Sequence, residues 1–212
     1  MTKPSLEELL RSRRSVRSFS AERLSDEVLE RLVELATLAP SASNKQPWRF
    51  LIVTSRPVIE KMASVVREAT AAVAAHVMAE SQVAFRNYGD YFTRFENAPA
   101  VIVPIFRGHT VLSHLVDAGL DPELRDAIAV MERDSGLTGT ALALMNLLLA
   151  AHELGLGASA MTGPLLATGR LREILTVPES WGIVALVPVG HPAEAPRPTE
   201  RKPVQKVIRW IR

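Results

Sequence analysis

Over residues 136–163 the chain reads GLTGTALALMNLLLAAHELGLGASAMTG, and no other stretch of its 212 residues limits the fold as tightly. Between Leu137 and Leu154, alanine, leucine and methionine occupy nearly every position. A surface helix shows a one-sided apolar stripe; this one is apolar almost all round. It must be covered on most sides, by the rest of its own fold or by a second chain. Asn146, His152 and Glu153 interrupt the run, which argues against a membrane span. Gly155 and Gly157 then read as left-handed caps that end the helix, and a tract of small residues follows at 158–164.

Cysteine is absent, which removes disulfides, thiolate metal ligands and a cysteine nucleophile. Redox chemistry in such a chain requires a borrowed cofactor. Apolar residues make up 47% of the sequence, enough for a sizeable core in one domain. The formal net charge of +2 is too small to point to a nucleic acid. Basic residues are instead gathered at 11–17 and 197–206, near opposite ends of the chain, a pattern suited to converging on one small anion. The N-terminus is charged and amphipathic rather than a signal peptide, so a cytoplasmic location is the default expectation.

Caps and periodicity predict a short helix over 6–11. A second helix is capped by Ser25, with Val28, Leu29, Leu32, Leu35 and Ala36 on its core face, and is stopped by Pro40. A long helix is expected over 57–79, another over 123–134 ahead of the apolar one, and a short one at 171–175. Strands are expected at 49–54, 100–106 and 182–189; Pro104 and Pro188 inside the last two argue for an edge or a bulge. Residues 82–96 are aromatic without a decisive period, and 107–122 read as a loop able to act as a lid. Residues 191–203 are proline-rich and extended, and alternation after 204 predicts a terminal strand. The organisation is one domain, 1–190, with an arm at 191–212 that belongs to it and reaches a partner.

Motifs that carry chemistry are few. GLGASA at 155–160 has the glycine spacing of a dinucleotide-binding turn but follows a helix rather than a strand, and is rejected. The five histidines, His76, His109, His114, His152 and His191, show no ligand spacing, so no metal site is expected. Arg13, Arg14, Ser15 and Arg17 lie within five residues. They form either a solvated basic turn or an anion clamp, since guanidiniums bind phosphate in bidentate fashion and keep their charge. Ser41, Ser43, Asn44 and Gln46 place four neutral polar side chains within six residues, just before a strand. That is either a plain connecting loop or a mixed set of donors and acceptors suited to the edge of a heteroaromatic ring.

In order, RRSVRSF at 13–19, APSASNKQPWRF at 39–50, NLLLAAHELGLGAS at 146–159 and ERKP at 200–203 resemble the FMN-dependent nitroreductase family, over roughly residues 6–210. The resemblance implies an α+β homodimer with a central, mostly antiparallel sheet flanked by helices. It also implies FMN in a groove between subunits and a C-terminal arm that reaches the partner. Residues matching Arg13, Arg14, Ser15 and Arg17 would grip the phosphate, ribityl chain and pyrimidine edge, with Arg94 on the pyrimidine side. Pro40, Ser41, Ala42, Ser43, Asn44 and Gln46 would reach in from the second subunit. Arg201 and Lys202 would close on the phosphate. Ala160, Met161, Thr162 and Gly163 would lie along the flavin, with an N–H or hydroxyl of Thr162 or Gly163 as the catalytic contact at N5. The helix carrying Asn146 would be the central dimer helix. The implied activity is ping-pong transfer of electrons from NAD(P)H through FMN to an electron-poor acceptor of nitroaromatic, quinone or enone type. A flavin store or redox sensor, or a specialised dehalogenase, azoline oxidase or flavin-cleaving enzyme, is the alternative. No nucleic acid or membrane partner is implied. Thr162 stands where many relatives carry an acidic residue, and residues 107–122 match nothing in the pattern.

Overall fold

A computed structural model describes residues 4–195 and 198–212. Two helices precede the sheet: α1 (Leu6–Ser12) and α2 (Asp26–Ala36), the latter capped by the Ser25 hydroxyl as expected. The longest ladder joins β1 (Trp48–Val53) to β2 (Ala100–Phe106), antiparallel from Trp48↔Phe106 to Val53↔Val101. Between them run α3 (Arg56–Ala74) and α4 (Gln82–Gly89), and α4 is followed by a 3-10 turn, Arg94–Asn97, which resolves the aromatic 82–96 stretch. After β2 come α5 (Pro122–Glu153), β3 (Gly157–Ala158), α6 (Thr168–Ile174), β4 (Gly182–Ile183) and β5 (Val187–Gly190). The sheet order is β1-β2-β5-β3, with β4 also on β2, and every ladder is antiparallel.

Alternation along β2 builds two cores. Val101, Val103 and Ile105 pack with Ile59, Met62, Val66 and Leu171 from α3 and α6. Ala100 and Ile102 pack on the other face with Leu29, Leu32, Ala143 and Leu147 from α2 and α5. The result is the α+β architecture expected, helices on both faces of an antiparallel sheet.

The apolar run is the second half of α5, a single helix of 32 residues where the sequence predicts two. Gly136 does not break it. A Cβ there would collide with the Arg107 carbonyl, and one at Gly139 would lie 3.3 Å from Ser41 and Pro47. Each glycine costs about 1 kcal/mol of helix propensity and lets a loop rest directly on the helix backbone. Ala143, Leu147, Ala150 and Ala151 face the core, whereas Leu137, Ala141, Leu142 and Met145 lie on the exposed side, with Leu142 45% accessible. By length and composition α5 is able to cross a bilayer; 44% of its most apolar window is buried within the fold.

Four expectations need correction. Of the paired glycines, Gly155 (φ 74°) is the left-handed end of α5, but Gly157 opens β3 instead. Pro188 is not at an edge, since β5 lies between β2 and β3, and neither is Pro104: β2 is flanked on both sides. The missing N–H of Pro104 faces the interval between β4 and β5, where its carbonyl accepts from Val184 (2.9 Å), so no ladder donor is lost. The strand expected at 182–189 is therefore two, separated where Leu186 exchanges both backbone bonds with Met161 (2.9 Å each). The terminal strand is absent. Val204–Lys206 is one 3-10 turn, and Ile208, Trp210 and Ile211 are exposed, Ile211 by 91%. Among the described residues nothing apolar covers this tail, so it has no strand to pair with. Arg197, part of the second basic cluster, lies outside the described residues.

Candidate active site

A capping box closes α1 at its start: Ser5 Oγ accepts from the Glu8 N–H (3.3 Å) and Glu8 accepts from the Ser5 N–H (2.7 Å). Arg13 ends the helix, and the chain then runs extended between β3 and the start of the C-terminal arm. Val16 N–H donates to the Ala158 carbonyl (3.1 Å), Ser20 N–H to His191 (2.9 Å), and Ala193 N–H to Ser18 (3.1 Å). The segment lies flush on β3 because Gly157 has no side chain; a Cβ there would be 2.6 Å from Val16. Arg13, Arg14, Ser15 and Arg17 thereby line a cleft of about 630 Å³ together with Arg201 and Thr199 from the arm, and Tyr91 and Arg94 after α4. The two ends of the chain do converge.

The charges in this cleft are uncompensated. Arg13 is half-buried and makes no side-chain hydrogen bond or ion pair among the described residues. Burial first, then the neighbouring Arg201 and Arg14, lower its pKa. Arg14 spends donors on the Arg11 and Arg13 carbonyls (2.6 and 2.8 Å), and Arg201 on Thr199 Oγ1 (2.8 Å) and the Glu200 carbonyl (3.1 Å). Arg17 and Arg94 lie over the Tyr91 ring at 5.7 and 4.1 Å. Among the described residues, Glu194 is the one carboxylate in the lining against five guanidiniums. A partly desolvated cation without an acceptor is unfavourable until an anion arrives, so the chemistry of the arrangement suits a small, multiply charged anion. The bland reading of this segment, a solvated basic turn, does not fit Arg13.

His152, near the end of α5, holds the last turn of α1 just ahead of Arg13. The Ser12 hydroxyl donates to the Glu8 carbonyl (2.6 Å) and accepts from His152 Nε2 (2.7 Å). Burial, then Arg13 and Arg14, hold its pKa below the ordinary 6.5. The unfolded chain therefore takes the proton first as pH falls. The stability contributed by the neutral ring is complete above pH 6.5 and is lost as pH drops through that value toward the lowered one. The melting temperature of His152→Gln should depend less on pH than that of the parent between about pH 7.5 and 5.5. Equal slopes would remove His152 from this account.

The polar loop stands elsewhere. Pro40, Ala42, Ser43, Asn44 and Gln46 are exposed, and the Asn44 and Gln46 amides bond to nothing among the described residues. Ser41 Oγ accepts the Gln46 N–H (2.9 Å) and tightens the turn. Ser43, Asn44 and Gln46 take left-handed backbone conformations (φ 50°, 51° and 47°), at about 1–2 kcal/mol per non-glycine residue. Such strain marks a loop shaped for something besides stability. The loop rests against Gly139 of α5, whereas the arginines sit beside His152. At 1.5 Å per residue these points are about 20 Å apart along the helix. One chain does not bring the two groups together.

Residues 160–163 are split by burial. Met161 points into the core with its N–H and C=O both taken by Leu186, so its contribution is to hold the tract in place. Ala160 and Thr162 are exposed, and the N–H groups of Thr162 and Gly163 have no acceptor among the described residues. Gly163 sits against the Phe92 ring, where a Cβ would collide. The neighbouring Ser159 hydroxyl is buried without a partner. Lys202 is exposed and does not line the cleft.

Two groups escaped the sequence. Tyr91 joins Arg17 to Arg94; the aromatic run at 82–96 was its only signal. Glu132, on α5, is 6% accessible, and its Oε1 accepts the N–H groups of Val111 (2.6 Å), Leu112 (2.6 Å) and Ser113 (3.2 Å) while Oε2 accepts the Ser113 hydroxyl. The Ser113 hydroxyl, opposed by burial and joined by the backbone N–H groups, lowers its pKa to about 2. The ion is therefore present at every pH above the acid range, and nothing local in the sequence marks it.

The chain is thus an α+β scaffold, an antiparallel sheet between helix layers, with an arginine-lined cleft at one end of α5 and a strained amide loop nearer its middle. A profile of the Nitroreductase family matches residues 10–191. A protein named NADH dehydrogenase from Thermus thermophilus is 34% identical over 93% of this chain and 92% of its own length. A BluB-like flavoprotein from Clostridium difficile superposes with a TM-score of 0.83 at 23% identity, over 99% of this chain and 100% of that one. A nitroreductase with bound FMN from Desulfitobacterium hafniense does so with a TM-score of 0.71 at 23% identity, over 100% of both chains. The chain belongs to the nitroreductase family of oxidoreductases.

Proposed function

We propose that the protein is a cytoplasmic, homodimeric, FMN-dependent enzyme that oxidises NADH or NADPH and reduces an electron-poor small molecule of nitroaromatic, quinone or enone type. The observation that carries this reading is Arg13, half-buried without an acceptor and flanked by Arg14 and Arg201. A phosphomonoester dianion fits that need, and the Desulfitobacterium hafniense nitroreductase holds FMN.

When bound, FMN would supply the two-electron chemistry. The chain's own part is to hold and orient it. Arg13, Arg14, Ser15 and Arg201 would grip the phosphate and ribityl chain, and Arg17, backed by Arg94, the pyrimidine edge; Lys202, outside the cleft, drops out of this set. The unspent N–H groups of Thr162 and Gly163 would face the ring near N5. The amides of Asn44 and Gln46, with Ser41, Ser43 and the backbone of Pro40 and Ala42, would come from the second copy. A two-fold axis crossing α5 near Met145 lies midway between Gly139 and His152. Such an axis would bury Leu137, Leu142 and Met145 and bring one chain's amides to the other's arginines. The exposed tail beyond 203 would then find its ordering surface on the partner.

The test is direct. The purified protein should be yellow or take up added FMN, release FMN on heating, and bleach anaerobically with NADH or NADPH. A colourless protein that takes up no FMN would overturn the reading. A yellow protein that oxidises neither nicotinamide would make it a flavin carrier instead.

A further inference from the structure

Tyr91 shares its ring with two cations and belongs to neither core. Its neighbours do the packing. Phe92 and Phe95 are buried, Phe92 against Gly163, and the Phe92 N–H closes on the Gly89 carbonyl (2.9 Å). The turn Arg94–Asn97 is tied to α3 through Glu96, which accepts from Arg67 at its carboxylate (2.6 Å) and from Arg56 at its carbonyl. Tyr91 itself is 43% accessible and lines the cleft with Arg17 and Arg94. Neither guanidinium makes an ion pair among the described residues; the acid nearest in sequence to Arg94, Glu96, is spent on α3. A carboxylate would orient a guanidinium and cancel its charge. An aromatic face orients it and leaves the charge available.

We infer that Tyr91 is a positioning residue that holds Arg17 and Arg94 as uncancelled positive charge at the pyrimidine edge of bound FMN, and so raises the reduction potential of the flavin. That edge is where the proposed function puts Arg17, and the inference rests on that reading. Transfer of a hydride from the nicotinamide, which leaves oxidised, gives the flavin one net negative charge, collected at N1 and the C2 carbonyl on that edge. A fixed cation there stabilises the charged reduced state more than the neutral oxidised one.

The potential of bound FMN, read by anaerobic equilibration with a reference dye, tests this. Tyr91→Leu removes the ring and should weaken binding of reduced FMN about tenfold relative to oxidised FMN, a drop of about 30 mV for a two-electron couple. Tyr91→Phe keeps the aromatic face and should hold the parental potential. In a chain carrying Arg17→Gln and Arg94→Gln, Tyr91→Leu should lower the potential no further. In flavin-free protein the order parameter of the Arg17 Nε–H should fall in Tyr91→Leu and not in Tyr91→Phe. An unchanged potential in Tyr91→Leu overturns the role, as does an equal drop in Tyr91→Phe or in the chain without the two arginines. An Arg17 side chain as ordered in Tyr91→Leu as in the parent overturns it too. A ring needed only for folding would lower the melting temperature and leave the potential where it was. A parent that takes up no FMN overturns the proposed function and this role together, whereas a yellow parent whose potential ignores Tyr91→Leu overturns the role alone and leaves the flavin reading standing.

Discussion

Arg13→Ala is expected to weaken FMN binding about 10- to 100-fold while leaving the flavin-free protein at least as stable as the parent. The first half follows from losing a charge-assisted contact, about 1.5–3 kcal/mol. The second half is specific to this geometry. Arg13 makes no side-chain hydrogen bond or ion pair among the described residues, and its nearest charged neighbours, Arg201 and Arg14, repel it. Its removal leaves nothing unpaired and takes one cation out of a crowded cleft. FMN titration followed by the quenching of flavin fluorescence measures the first effect, and thermal unfolding of flavin-free protein the second. A drop in melting temperature would make Arg13 a structural residue. Unchanged affinity would remove the phosphate from this cleft.

The second large effect is expected from mixing two defective chains. Asn44→Ala and Arg13→Ala lesions lie about 20 Å apart along α5 in one chain. If each flavin groove draws arginines from one copy and amides from the other, either variant alone has every site damaged. A mixed dimer then has one site with both lesions and one site with none. With random pairing, about a quarter of all sites should regain parental FMN affinity after the variants are unfolded and refolded together. Recovery fits a groove between copies. No recovery, with dimers formed normally, would place both groups in separate and unrelated sites.

How much of this was legible beforehand differs by element. Helices with strong caps, such as Ser25 ahead of α2, and strands with clear apolar runs, β1 and β2, stand within a residue or two of where their patterns place them. The failures share a cause. Gly136 looks like a break because a helix pays for glycine locally; it persists because a distant segment, at Arg107, needs the space. Pro104 looks like an edge residue because a ladder donor is lost; it is central because the neighbouring strand divides opposite it. The tail alternates like a strand, yet within one chain it has no surface to pair with.

The candidate site divides in the same way. The residue types, four arginines and a serine from two ends of the chain plus a run of amides, are present in order in the sequence, because anion and ring-edge recognition require particular functional groups. Which of them meet was a matter of packing. Gly157 admits Val16 against β3, and that contact turns Arg13 into the cleft with Arg201 and leaves it without a partner. The carboxylate of Glu132 acquires three N–H donors only when residues some twenty positions earlier fold back onto α5. Functional groups and their order are local properties, so the sequence alone determined them. Exposure, pairing and the choice of neighbours depend on contacts between residues far apart in the chain, so the tertiary structure alone decided those.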